Sequence, residues 1–153
     1  KYQPRLAGYC YRLLQDPSKT QDVVQSTFAK ALESIHSLDK PELFYYWLFT
    51  IARNEVYGLI RKIRSNGTVE LTEEVWDSET PHETMVRKET VLIVEDCLNR
   101  LKLEYREVLI LRQFEQLSYA EIAAITGDTI RSVDSRLFKA RKALIKQLEP
   151  YIE

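Results

Sequence analysis

The chain is poor in metal-binding and nucleophilic side chains. Its only cysteines, Cys10 and Cys97, lie far apart, and His36 and His82 are its only histidines. No CxxC or HxxC spacing occurs, which argues against a structural zinc site. No Gly-rich phosphate loop, metal cluster or Ser/His/Asp arrangement is present either, so no catalytic residue, metal or cofactor is expected. Two unclustered cysteines fit a reducing cytoplasm, with each thiol in a helix core as a small apolar group. No apolar run reaches the length of about 18 residues needed to span a bilayer, and no secretory leader is recognised. A cytoplasmic protein is expected. Glycine (4) and proline (5) are also scarce, while hydrophobic residues make up 44% of the 153. That balance excludes a disordered chain and predicts an all-α fold with packed cores.

Charge is present in both signs but segregated. The formal net charge is −1, too small for indiscriminate nucleic-acid binding. Between Ser65 and Asp96 acids dominate, from Glu70, Glu73 and Glu74 to Glu95 and Asp96, against Arg87 and Lys88. Between Thr126 and Glu149 the bases Arg131, Arg136, Lys139, Arg141, Lys142 and Lys146 outnumber the acids. An acidic middle offsets basic ends.

Periodicity predicts a helix over Arg5 to Gln15, ending before "DPS". A second, capped by Ser18 or Thr20, runs to about Ser34 with Val24, Phe28, Ala31, Leu32 and Ile35 on its inner face. "HSLDKPEL" reads as a loop. A third helix follows from Phe44 to about Arg64, with Trp47, Leu48, Ile51, Ala52, Val56, Leu59 and Ile60 in phase. These three enclose one small core, assigned to residues 1–65. "SNGTVELTEEVWDSETPHET" has no helical period and reads as a linker over 66–84. Helical pattern resumes over 85–153, so two helical domains on a tether are expected, with no internal repeat.

The stretch "SYAEIAAITGDTIRSVDSRLFKARKAL" carries the sharpest signal. Ser118 and Glu121 form a capping box, Gly127 suits a left-handed helix end, and Thr129 caps the next helix. There Ile130, Val133, Leu137, Ala140, Leu144 and Leu148 make a core stripe, leaving Arg131, Ser132, Ser135, Arg136, Lys139 and Lys142 outside. A short helix, a glycine turn and a helix with a basic, hydroxyl-rich face make up the helix-turn-helix plan, whose second helix enters a major groove. The plainer alternative is a helical hairpin with a solvated basic face.

"REVLILRQFEQLSYAEIAAITGDTIRSVDSRLFKARKAL" resembles region 4, the promoter −35 binding domain of extracytoplasmic-function (ECF) sigma factors. "DVVQSTFAKAL" and "FYYWLFTIARNEVYGLIRKIR" resemble region 2, their −10 domain. Two motif blocks in the family's order span nearly the whole chain. The resemblance implies that Asp22, Gln25, Ser26 and Ala29 dock on core RNA polymerase. It implies that Phe44, Tyr45, Tyr46, Arg53, Asn54, Arg61 and Lys62 contact the −10 DNA, aromatic faces stacking on unpaired bases. Trp47 is expected in the core. Ser118, Thr129, Arg131, Ser132, Ser135, Arg136 and Lys139 would serve the −35 duplex. Promoter DNA, core polymerase and an anti-sigma factor are the implied partners, with no small-molecule substrate or membrane insertion. Gly58, Asp134 and Ser26 depart from the family pattern. Asp134 is expected to orient Arg131, one helical turn away. A stand-alone helix-turn-helix regulator is the competing function, which the helical N-terminal half disfavours.

Overall fold

A computed structural model describes residues 3–65 and 86–152. The linker expected over 66–84 lies outside the described residues. Among the described residues there are seven α-helices: α1 (Gln3–Leu14), α2 (Pro17–Ser34), α3 (Phe44–Ser65), α4 (Val86–Asn99), α5 (Leu103–Leu109), α6 (Tyr119–Thr126) and α7 (Ile130–Leu148). Short 3-10 turns at Ile35–Ser37 and Pro41–Leu43 bridge α2 and α3. There is no strand among the described residues, as the composition predicts.

The N-terminal bundle packs α1, α2 and α3 against each other. Leu6, Tyr9, Cys10, Leu13, Val23, Val24, Leu48, Phe49, Ala52 and Val56 are buried in its core. The cap of α2 differs from expectation. Asp16, in extended backbone, accepts from the Lys19 backbone N–H at 3.1 Å, with Pro17 at the first helical position. Proline is preset for that site and loses no hydrogen bond there. Ser18 and Thr20 therefore lie inside the helix, and Thr20 is buried.

The inner stripe of α2 is also narrower than its apolar residues suggest. Thr20, Val23, Val24, Thr27 and Ala31 are buried, whereas Leu32 is 74% exposed and Ile35 49% exposed. Both were expected inside. Neighbours cover only the 20–23–24–27–31 stripe, and Leu32, one residue past it, is turned to solvent. Trp47 is half-buried against the core edge, with its ring 5.8 Å from that of Phe44. Gly58 sits within α3 with open space where a Cβ would stand, so no close approach requires glycine there.

In the C-terminal bundle α5 and α6 pack on α7, and α4 joins along α7. The local chemistry of the helix-turn-helix is as expected. Ser118 Oγ accepts from the Glu121 N–H at 3.1 Å, while Glu121 Oε1 accepts from the Ser118 N–H at 2.9 Å. Gly127 adopts φ +75°, and Thr129 Oγ1 accepts from the Ser132 N–H at 3.0 Å. Such a cap is worth about 1 kcal/mol. Val133, Leu137 and Ala140 are buried, but Ile130 is 54% exposed. As the first residue of α7, it precedes the point where the helix meets α5 and α6.

The bundles are docked together rather than held apart. α3 lies against α6, and α1 against α5 and the turn after it. That turn, Ile110–Phe114, is one turn of π-helix, closed by the Glu115 N–H donating to the Ile110 carbonyl at 3.2 Å. Single π turns advance the chain by one extra residue and recur at functional sites. Here the turn directs Glu115 inward, toward the N-terminal bundle, where it is 6% exposed.

Candidate nucleic-acid interface

Three surfaces hold the expected functional residues, and they differ sharply in accessibility. On α2, Asp22, Gln25, Ser26 and Ala29 are all exposed. Their three- and four-residue spacing sets them on one face. Leu32 continues that face at three residues beyond Ala29. Periodicity alone assigned Leu32 to the core, so the sequence reading missed an apolar group at the end of a polar stripe.

On α7, Arg131, Ser135 and Lys139 are exposed along one face. Phe138 lies between them, 65% exposed, with the Lys142 ammonium 5.9 Å from its ring centroid. An aromatic on an otherwise polar helix face is the sequence signal that marks this residue. Thr129 and Ser118 are exposed but committed to their caps, and Ser132 is half-buried. Arg136 is half-buried and turned back, donating from Nη1 to Asp128 Oδ2 at 2.6 Å. It braces the turn to the helix rather than standing free on the outer face. Among the described residues no ion pair joins Asp134 to Arg131; both are exposed. The expected orienting pair is replaced by Asp128–Arg136, eight residues apart across the glycine turn.

The third surface, at the start of α3, faces the other bundle. Asn54, Arg61 and Lys62 are exposed, but Phe44, Tyr45, Tyr46 and Arg53 are half-buried. Tyr45 stacks on Phe49 with ring centroids 4.6 Å apart, and Tyr46 meets it edge-on at 5.4 Å. Below them, an open groove of about 420 Å³ runs between Leu38, Lys40, Tyr46 and Trp47 on one side and Ala124 of α6 on the other.

Three carboxylates of the C-terminal bundle meet this surface. Glu107, fully buried, accepts from Tyr9 Oη at 2.8 Å, Arg53 Nε at 2.8 Å and Tyr57 Oη at 2.9 Å. Glu115 accepts from Arg5 Nη2 at 3.0 Å and Tyr45 Oη at 2.8 Å. Glu121, besides its capping role, accepts from Tyr46 Oη. A buried carboxylate is tolerable only when paired and hydrogen-bonded, and Glu107 has three donors for two oxygens. Its position was readable in part. Glu107 lies three and four residues before buried Ile110 and Leu111, a charge in phase with the apolar stripe.

This environment alters the phenols. Burial first, and Glu107 second, raise Tyr9 and Tyr57 above the ordinary tyrosine value; burial and then Glu115 raise Tyr45. A raised folded-state value means that the stabilising effect is complete below the unfolded phenol value of about 10. It is lost as pH climbs through the raised values. Three of the nine tyrosines should therefore stay un-ionised at pH 10, when absorbance at 295 nm is followed, and ionise at higher pH as the bundles part. Ionisation of all nine in one step near the ordinary value would contradict the buried contacts.

Comparison with known proteins matches residues 1–66 to the Sigma-70 region 2 family and residues 92–144 to the Sigma-70 region 4 family. The chain is similar to the RNA polymerase sigma-H factor of Pseudomonas aeruginosa, at 32% identity over 99% of this chain and 84% of that protein. It is similar also to the ECF RNA polymerase sigma factor SigW of Bacillus subtilis, at 30% identity over 96% of this chain and 84% of that one. Among solved structures it resembles the sigma factor RpoE of Bartonella quintana, crystallised with the anti-sigma factor NepR. That match has a TM-score of 0.78 and 30% identity, covering 96% of this chain and 91% of that one.

Proposed function

The chain belongs to the ECF group of RNA polymerase sigma factors, which act in transcription initiation, and on that premise we propose how its surfaces divide the work. The exposed α2 face of Asp22, Gln25, Ser26, Ala29 and Leu32 docks on core polymerase. The α7 face of Arg131, Ser135 and Lys139 reads the −35 duplex, where Arg and Lys reach phosphates or guanine and Ser bonds to either. Phe138 extends it with an apolar surface suited to a thymine methyl. The start of α3, with Tyr45, Tyr46, Arg53 and Asn54, receives unstacked bases of the −10 element, and Arg61 and Lys62 meet phosphates.

The observation that best supports this reading is a capped helix-turn-helix with an exposed basic face, in one chain with an aromatic helix start. A stand-alone regulator has no use for the second feature. Sigma factors are a non-catalytic class of initiation factor, and the proposed role needs no metal, cofactor or small-molecule substrate. No helix among the described residues is long and apolar enough to cross a membrane; the proposed place of action is the cytoplasm, on chromosomal promoters. An anti-sigma factor is a proposed partner, by analogy with the Bartonella quintana complex.

Run-off transcription tests the reading. Bacterial core polymerase on a promoter library should yield discrete transcripts only when this chain is added. Tight, sequence-specific duplex binding by the chain alone, with no effect on the polymerase, would establish the stand-alone regulator instead.

A further inference from the structure

We propose that Asp134 determines specificity in the −35 contact. Its carboxylate accepts from the N4 amine of a cytosine, so the chain favours promoters with cytosine at that position. This deepens, and rests on, the assignment of the α7 face to the −35 duplex. Asp134 is the one acid in the sequence of α7, IRSVDSRLFKARKALIKQL. It is exposed, and among the described residues its carboxylate has no hydrogen bond or ion pair. Asp128, across the glycine turn, differs: its carboxylate holds Arg136 at 2.6 Å. One acid braces the turn, and the other is left for a partner.

Its place on the helix is a reading position. Thr129 caps α7, so Asp134 stands in the second turn, and helices of this kind meet base edges through their N-terminal residues. Three- and four-residue steps put it beside Arg131 and Phe138, both exposed. A carboxylate among phosphates is unfavourable unless an N–H group meets it. In the major groove guanine offers only acceptors, and thymine an acceptor and a methyl group. Adenine sets its amine beside the N7 acceptor, whereas cytosine offers an amine alone. Cytosine is therefore the best match and adenine the second. Arg131 supplies the complementary half, since guanidinium donates to guanine O6 and N7. Three residues advance a helix by about 4.5 Å, and one base step is about 3.4 Å. Arg131 and Asp134 thus reach the same C·G pair or adjoining pairs. Neither is tied to the other in the free chain, so no ion pair is broken on binding.

The test uses core polymerase carrying the full chain, and a pool of DNA duplexes randomised across the upstream promoter region. Sequencing the duplexes that wild type retains should show a −35 block with one position favouring cytosine. Changing that C·G pair to T·A should weaken binding about tenfold, as single mismatches commonly do. Asp134→Ala should erase the preference at that position alone. It should hold duplexes lacking the cytosine at least as tightly as wild type, because a charge that phosphates repel is gone. Asp134→Asn should move the preference to adenine, whose N6 and N7 match an amide. A residue with a purely structural part would instead weaken binding to every sequence by one factor. Thermal melts check that both variants stay folded, and the asparagine variant carries the test if the alanine one does not. Arg131→Ala keeps the two readings apart. If it alters the −35 block while both Asp134 variants select the wild-type block, α7 reads the duplex and the cytosine contact is wrong. Even loss across all duplexes in the Asp134 variants overturns the contact as well. If no α7 variant changes the selected sequences, the −35 assignment falls and the cytosine contact with it.

Discussion

Core polymerase should lose its hold on a chain carrying Leu32→Asp. Leu32 ends a stripe that begins at Asp22 and passes through Gln25, Ser26 and Ala29, all exposed. The opposite side of α2 carries the buried Val23, Val24, Thr27 and Ala31. Substitution at Leu32, itself 74% exposed, therefore leaves the core intact. In the proposed docked complex the same position becomes an apolar contact, and an aspartate there would be desolvated without a partner. Losing a buried apolar anchor from an interface costs about 2 kcal/mol or more, so affinity should fall roughly thirtyfold. Asp22→Arg, at the far end of the stripe, should weaken binding less, as rim charges mostly do. Pull-down with core enzyme, alongside a thermal melt, measures both effects. An unchanged melting temperature with unchanged pull-down would remove α2 from the docking surface.

Leu32 also shows where sequence reading reached its limit. Periodicity marks which residues are apolar on a helix, but the width of the covered stripe depends on which neighbours arrive. α1 and α3 cover the stripe ending at Ala31, and Leu32 was left out. Local signals fared better because their partners lie within four residues. The Ser118–Glu121 box, the left-handed Gly127 and the Thr129 cap were all legible. Asp16 was missed as a cap only because Ser18 and Thr20 offered themselves after the proline. The contacts of Glu107, Glu115 and Glu121 span 40 to 110 positions along with those of Arg5 and Tyr45. No local pattern encodes them, and a glutamate on a helix ordinarily reads as a solvated charge. Two tethered bundles could be inferred from the pattern; their docking could not.

Asp128–Arg136 makes a related point about the helix-turn-helix. A basic residue on the outer arc of α7 was expected to serve DNA, yet its guanidinium spans the turn to Asp128 at 2.6 Å. The side chain's length lets it fold back over the N-terminal turn of its own helix. Arg131 and Lys139, with no such acidic neighbour among the described ion pairs, remain the proposed charged readers.

The tyrosines at the start of α3 should give opposite results for two substitutions that look alike. On the proposed reading, their hydroxyls and their rings have separate tasks. In the closed chain Tyr45 Oη and Tyr46 Oη donate to Glu115 and Glu121, so the hydroxyls favour closure. In the proposed promoter complex the ring faces stack on unpaired bases, each worth about 1–3 kcal/mol. Tyr45→Phe with Tyr46→Phe keeps both faces and removes both donors. It leaves Glu115 with Arg5 and Glu121 with its cap, so neither carboxylate is orphaned, yet closure weakens. That variant should open promoters with polymerase at least as well as wild type and bind single-stranded DNA more tightly alone. Tyr45→Ala with Tyr46→Ala also weakens closure but discards the stacking faces. At 1–3 kcal/mol per base, the double loss should reduce open complexes by about tenfold or more. Permanganate footprinting of thymines in the bubble distinguishes the pair. If the phenylalanine variant is as defective as the alanine one, the hydroxyls themselves contact DNA, and the division of labour between ring and hydroxyl is wrong.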